Sequence, residues 1–239
     1  MKTVLVTGDS KGLGFKICET LSKNKNINVI GVSRSKKVKG NWSHYSLDIT
    51  NDKDIDFIID LSKSADILIH NAGISSNNLF IVESKEKIEK VFKLNLMSPI
   101  EITKGWMKKR LLQKKKGQVI FISSICTKKS FKGLSAYAAS KSALNSYAKS
   151  IAFEMGKKGI ASNIILPGYM KTEMTSEMKE SDLEKIKNKT PLKEFCKTSD
   201  VTSIIEYMVL KSEFLNGSEI VIDGGFTLWL ILLLVIMLK

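Results

Sequence analysis

Cysteine is scarce: Cys18, Cys126 and Cys196 are the only three, scattered and odd in number. No CxxC pair occurs, so neither a disulfide framework nor a zinc site is expected, and the usage fits a reducing compartment. Proline is equally rare, with three residues. There is no Pro/Gly/Ser-rich linker and no internal repeat, so nothing marks a place to divide the chain. Arginine is nearly absent, since Arg34 and Arg110 are the only two among 38 basic residues. Nucleic-acid readout draws on arginine and interleaved aromatics. The dispersed lysines behind the net charge of +14 therefore read as a lysine-biased soluble surface, with attraction to an acidic partner or an anionic membrane as the alternative, and not as a nucleic-acid footprint. Nothing near Met1 has the layout of a signal peptide, and a cytoplasmic location is predicted. The longest apolar run, Leu228 to Leu238, has about eleven residues, short of the roughly twenty a membrane-spanning helix needs. Three roles are open to it: a subunit contact, a membrane-surface contact, or an extension without function.

What the sequence does contain is an alternation. Short apolar runs at Thr3–Thr7, Asn28–Ser33, Tyr45–Leu47, Ile67–His70, Gln118–Ser123, Ala161–Leu166 and Glu219–Ile222 read as strands. Segments of helical spacing lie between them near Leu13–Lys23, Asp52–Ser62, Lys85–Leu94, Pro99–Lys114, Tyr137–Gly156 and Ser199–Leu210. Continuous apolar strands alternating with helices predict a doubly wound parallel α/β sheet of about seven strands, covered on both faces. A single Rossmann-type domain over residues 1–227, followed by the apolar tail 228–239, is expected. In such sheets ligands bind beyond the carboxyl ends of the strands.

The first strand ends in Thr7-Gly8-Asp9-Ser10-Lys11-Gly12-Leu13-Gly14 and opens a helix. Glycines there permit a sharp turn and bring backbone N–H groups to a pyrophosphate at the positive helix end. The second strand ends in Arg34. An acidic residue at that place suits the ribose 2′-hydroxyl of NAD, whereas a basic one suits a 2′-phosphate. Arg34, supported by Lys11 and by Lys36 or Lys37, favours NADP(H).

Lys141 follows Tyr137 by four residues on a helical segment, so the ammonium and the phenol share one face. A fixed cation beside a phenol favours the phenolate and lowers its pKa. A surface pair is the alternative reading of Tyr-x-x-x-Lys by itself. Ser124 ends the strand thirteen residues before Tyr137, and Ser123 competes for the same role.

With these motifs the chain resembles the short-chain dehydrogenase/reductase family from Lys2 to about Phe226. Further matches are Asp48-Ile49 at the adenine pocket, Asn71-Ala72-Gly73 after strand four, and Asn95 in a helix. Pro167-Gly168-x-x-x-Thr172 and Asp223-Gly224-Gly225 complete the set. The resemblance implies that Tyr137 protonates a carbonyl oxygen as hydride arrives, and that Ser124 orients that oxygen. It implies that Lys141 lowers the tyrosine pKa and binds the nicotinamide ribose, and that Asn95 holds a water linking the lysine to solvent. It places the cofactor against Thr7, Gly8, Ser10, Lys11, Gly12, Leu13, Gly14, Arg34, Asp48, Ile49, Asn71, Ala72, Gly73, Tyr137, Lys141, Pro167, Gly168 and Thr172. His70, where the family has asparagine, is expected to be structural, and Cys126 is not expected to act as a nucleophile.

Within the family the chain most resembles the reductases of 3-oxoacyl chains on acyl carrier protein. Lys115 and Lys158 match the places where those enzymes carry basic residues facing the acidic carrier. Reduction of another ketone, sugar-derived or small-molecule, is the alternative, and a cofactor-sensing binding protein is the non-enzymatic one. The resemblance also implies a homodimer or homotetramer built on Pro99–Lys114 and Tyr137–Gly156. Small residues Ala138, Ala139, Ala143 and Ala148 would permit close approach there.

Overall fold

The computed structural model describes residues 1–171 and 179–228. Seven strands form one sheet: β1 Lys2–Thr7, β2 Ile27–Ser33, β3 Ser43–Ser46, β4 Ile67–His70, β5 Gly117–Ile122, β6 Ile160–Pro167 and β7 Glu219–Ile222. Their order is β3-β2-β1-β4-β5-β6-β7, and every pairing is parallel. The helices are α1 Gly12–Ser22, α2 Asp52–Leu61, α3 Lys85–Phe92, α4 Ser98–Leu112, α5 Ser135–Gly156, α6 Glu180–Lys189 and α7 Thr198–Leu210. The expected single α/β sheet with helices on both faces is the observed architecture.

The strands alternate their side chains between two cores, as a pleated strand must. Leu5 of β1 points into the layer built with Ile58 of α2, Trp106 of α4 and Leu144 of α5. Its neighbours Val4 and Val6 point the other way, onto Ile17 of α1 and Ile205 of α7. Burial on both faces explains why the strands read as unbroken apolar runs rather than alternating ones. Strand order reverses between β1 and β4, whose last residues Thr7 and His70 pair with each other. That reversal opens a crevice at the carboxyl edge, where such sheets bind ligands.

Two local features depart from the helix pattern expected. The segments of α3 and α4 are joined without a break by a wide π-turn over Lys93–Met97, and the Ser98 hydroxyl donates to the carbonyl of Lys93 there. α6 has no counterpart among the helical segments read from the sequence. Its acidic first turn (Glu180, Asp182) and basic last turn (Lys187, Lys189) suit the helix dipole. Its one buried residue, Ile186, packs with Ile125 and Phe226.

The two arginines have separate fates. Arg34 is exposed, whereas Arg110 is buried and donates to the Ala65 and Lys116 carbonyls and to Asp66. Arg110 thus ties α4 to the amino edge of the sheet, opposite the crevice. Among the described residues no helix is long and apolar enough to cross a membrane. The tail beyond Leu228 and the position of Thr172 lie outside the described residues.

Candidate active site

A cleft of about 1110 Å³ runs along the carboxyl edge of the sheet. Its walls hold Gly8, Ser10, Lys11, Gly12, Leu13 and Gly14 from the turn after β1, and Arg34 after β2. Asp48 and Ile49 follow β3, Asn71, Ala72 and Gly73 follow β4, and Pro167 and Gly168 close β6. Ser124, Tyr137 and Lys141 stand at one end. Thr7 and Asn95 do not line the cleft but brace it from behind.

Thr7 Oγ1 accepts from the backbone N–H groups of Asn71 and Ala72 at 3.2 Å each. The Asn71 amide returns the contact, donating to the carbonyls of Thr7 and Gly8. These bonds lock the ends of β1 and β4 together. Gly14 lets the turn close, for a Cβ there would sit 2.0 Å from the Gly8 oxygen. α1 begins without a side-chain cap and without an acidic residue in its first turn, so its N–H groups and positive pole are not masked by a carboxylate. On the other wall, Asp48 accepts from both the N–H and the hydroxyl of Thr50.

α5 carries the chemistry-bearing face. The Lys141 ammonium is buried, donates to the Ile122 carbonyl at 2.7 Å and lies 5.8 Å from the centre of the Tyr137 ring. Loss of water pushes its pKa down to about 8. The Tyr137 phenol moves the other way. Burial raises it above the ordinary tyrosine value, the neighbouring Cys126 adds to that, and a hydrogen bond with Ser124 pulls it back in part. The expected lowering of the tyrosine pKa by Lys141 is therefore not the dominant effect here, because desolvation outweighs it. At neutral pH the phenol holds its proton.

Both candidate serines line the cleft, in different surroundings. Ser124 has extended backbone, and its hydroxyl accepts from the Cys126 N–H at 3.3 Å. Ser123 is buried, and its hydroxyl has no partner among the described residues. Cys126 is buried as well, and desolvation raises its thiol, which suits an inert side chain. His70 is structural, as expected. It stacks on Phe121 with ring centres 5.1 Å apart, bonds Thr103 at 2.8 Å, and burial pushes its pKa down to about 3.

Asn95 sits in the π-turn with its side chain committed to protein. Its amide receives the Ile74 N–H and donates to the Ile74 carbonyl, both at 2.9 Å, and donates to Ser140 at 3.1 Å. The residue four places on is Pro99, which has no N–H, so the Asn95 carbonyl lacks its α-helical donor. A Cβ on Gly73 would lie 3.4 Å from Asn95 Oδ1 and 3.5 Å from Lys141 Nζ, so the three adjoin.

One wall was not foreseen from sequence. Phe131, Tyr169 and Phe226 form a triangle of rings with centres 5.6 to 6.0 Å apart, and Phe131 and Tyr169 line the cleft beside Ser124. Aromatic spacing in the loops after β5 and β6 was the available signal. Lys115 and Lys158 are exposed, but they precede β5 and β6 and so stand at the amino edge of the sheet. A six-residue strand puts them about 20 Å from the cleft of the same subunit at ~3.3 Å per residue. Ala148 is fully buried in the core, where the Ser162 hydroxyl of β6 donates to its carbonyl, so it is not available to the subunit contact expected of it.

Residues 2–183 match the family described as short chain dehydrogenase. The 3-oxoacyl-[acyl-carrier-protein] reductase FabG of Buchnera aphidicola subsp. Schizaphis graminum is 34% identical over 94% of this chain and 96% of its own. Carbonyl reductase family member 4 of Xenopus laevis is 31% identical over 96% and 99%. Among solved structures, 4-hydroxyisoleucine dehydrogenase complexed with NADH superposes with a TM-score of 0.89 at 30% identity, covering 95% of this chain and 99% of that one. The fold, the cleft and these matches agree: the chain belongs to the short-chain dehydrogenase family.

Proposed function

We propose that the protein is an NADP(H)-dependent reductase of a 3-oxoacyl chain carried on acyl carrier protein. The observation that carries the chemistry is the gathering of Ser124, Tyr137 and Lys141 at one end of the cleft, with the buried Lys141 ammonium 5.8 Å from the centre of the Tyr137 ring. The cofactor fits the cradle: an uncapped helix pole at the glycine turn for the pyrophosphate, and Arg34 beyond it for a 2′-phosphate. When bound, the nicotinamide supplies the hydride.

Tyr137 gives its phenolic proton to the carbonyl oxygen as the carbon accepts hydride, and Ser124 holds that oxygen in line. The Lys141 ammonium offsets the phenolate left behind and contacts the nicotinamide ribose. Asn95 acts through its main chain: its freed carbonyl holds a water beside Lys141, while its amide fixes Ile74. Thr172 belongs to the nicotinamide end by sequence position.

The likeness to the 3-oxoacyl-[acyl-carrier-protein] reductases supports the substrate. The Phe131–Tyr169–Phe226 wall offers apolar surface to an acyl chain. Lys115 and Lys158 serve the acidic carrier by electrostatic attraction, and their distance from the cleft means that delivery is to a neighbouring subunit. A homodimer or homotetramer in the cytoplasm follows from this reading. The NADH-bound relative favours a second reading, oxidation or reduction of a free small molecule with NAD(H). Oxidation of NADPH and NADH is measured with an acetoacetyl thioester and with a panel of free ketones. The proposal expects the thioester and NADPH to give the highest kcat/KM. A free ketone reduced faster, or NADH preferred, overturns it.

A further inference from the structure

The glycine turn carries a carboxylate that cofactor binding does not use. Asp9 has no solvent exposure. Its Oδ2 accepts from the Trp42 indole N–H at 2.9 Å and faces His44 Nδ1 at 2.8 Å. The other ring nitrogen of His44, Nε2, faces the Ser35 carbonyl oxygen at 2.7 Å. Room for the carboxylate exists because residue 31 is glycine: a Cβ there would lie 2.0 Å from Asp9 Oδ2. Trp42 in turn packs edge-on against Phe15 of α1, with ring centres 5.2 Å apart. One imidazole therefore bridges the glycine turn to the backbone of Ser35, which follows Arg34 and lines the cleft with it.

The bridge has a definite proton requirement. A carbonyl oxygen only accepts, so His44 Nε2 must carry a proton. Nδ1 completes the bridge through its hydrogen bond with Asp9 Oδ2, which also accepts the Trp42 N–H.

We propose that Asp9 and His44 are positioning residues for the adenosine end of the cofactor. His44, hydrogen-bonded through both ring nitrogens, holds the Arg34–Ser35 segment against the glycine turn and so sets the preference for a 2′-phosphorylated dinucleotide. The proposal rests on the NADP(H) reading above. Arg34 reaches a 2′-phosphate only from a fixed backbone, because a long exposed side chain on a loose loop loses its advantage to entropy.

Calorimetry with NADPH, NADH and 2′,5′-ADP on the unmodified protein, Asp9→Asn, His44→Gln and the double variant tests it. Each single variant is expected to weaken NADPH and 2′,5′-ADP about tenfold and NADH no more than twofold, and the double variant to lose no more than either single one. Equal loss for NADPH and NADH, no loss, or additive losses overturn it. Nitrogen-15 NMR of the unmodified protein gives a measurement independent of variant folding, and with only two histidines in the chain the assignment is direct. A proton on His44 Nε2, held in the hydrogen bond to the Ser35 carbonyl, is expected, and an unprotonated Nε2 overturns the bridge. An unmodified protein that prefers NADH instead overturns the NADP(H) reading, and the preference proposed here with it.

Discussion

The Lys141 ammonium lies 5.8 Å from the centre of the Tyr137 ring while donating to the Ile122 carbonyl. Burial moves both groups toward neutrality, the lysine downward and the tyrosine upward. With a folded pKa of about 8, Lys141 loses its charge as pH rises through that value, and kcat/KM for reduction is expected to fall above about 8. The unfolded lysine keeps its proton to the ordinary value of 10.5. Between these values the unfolded chain binds more protons, so this residue makes stability rise with pH, by at most ~1.4 kcal/mol per unit. Lys141→Ala should lower turnover ~100-fold or more and weaken NADPH binding. Full cofactor affinity in that variant would contradict the contact with the ribose.

The proposed cofactor choice rests on Arg34, exposed at the end of β2 and lining the cleft. NADPH is expected to bind at least ~tenfold tighter than NADH, a difference of about 1.4 kcal/mol. Arg34→Asp should erase or reverse this preference. Equal dissociation constants in the unmodified protein would count against it.

His70 predicts how the fold fails in acid. Its folded pKa of about 3 lies below the ordinary 6.5, so the unfolded chain binds more protons between these values. Stability from this residue is therefore full above about 6.5 and is lost as pH falls toward 3, by up to ~1.4 kcal/mol per unit. His70→Asn should flatten that acid limb in denaturant titrations at several pH values. An unchanged slope would mean that the imidazole is not the proton acceptor.

Much of this was legible in sequence, and the exceptions have physical reasons. The central strands announce themselves because burial on both faces demands continuous apolar runs, whereas the edge strand β3, Ser43–Ser46, has no buried residue and overlaps the expected Tyr45–Leu47 only at Tyr45 and Ser46. The glycine turn and Tyr137–Lys141 are readable because their spacing is local. The π-turn is hidden, since Lys93–Met97 has ordinary helical composition and only Pro99 hints at a disturbed ladder. α6 is hidden because one buried residue, Ile186, gives no periodic stripe, although its charged ends were a usable signal. Ser123 and Ser124 both line the cleft, and their different burial depends on strand phase, which no local pattern reports. The Asp9–His44 bridge joins residues 35 positions apart, and no local pattern reports such a contact.

The segment just past β7 is tied down. Asp223 accepts from the N–H and hydroxyl of Thr227, and Phe226 is buried in the aromatic wall. Truncation after Thr227 keeps all of these contacts. It is expected to leave NADPH affinity and turnover per subunit within twofold and, by removing an apolar run, to raise the soluble yield. A truncated chain that fails to fold would show the tail to be structural.

The most direct test is the rate of NADPH oxidation by Tyr137→Phe with an acetoacetyl thioester, alongside the NADPH dissociation constant of the same protein. Removing one hydroxyl from the ring leaves its packing in place and takes away only the proton donor. Turnover should fall at least ~100-fold while the dissociation constant stays within a few-fold. Retention of tens of per cent of the activity would contradict the assignment of Tyr137 as the acid.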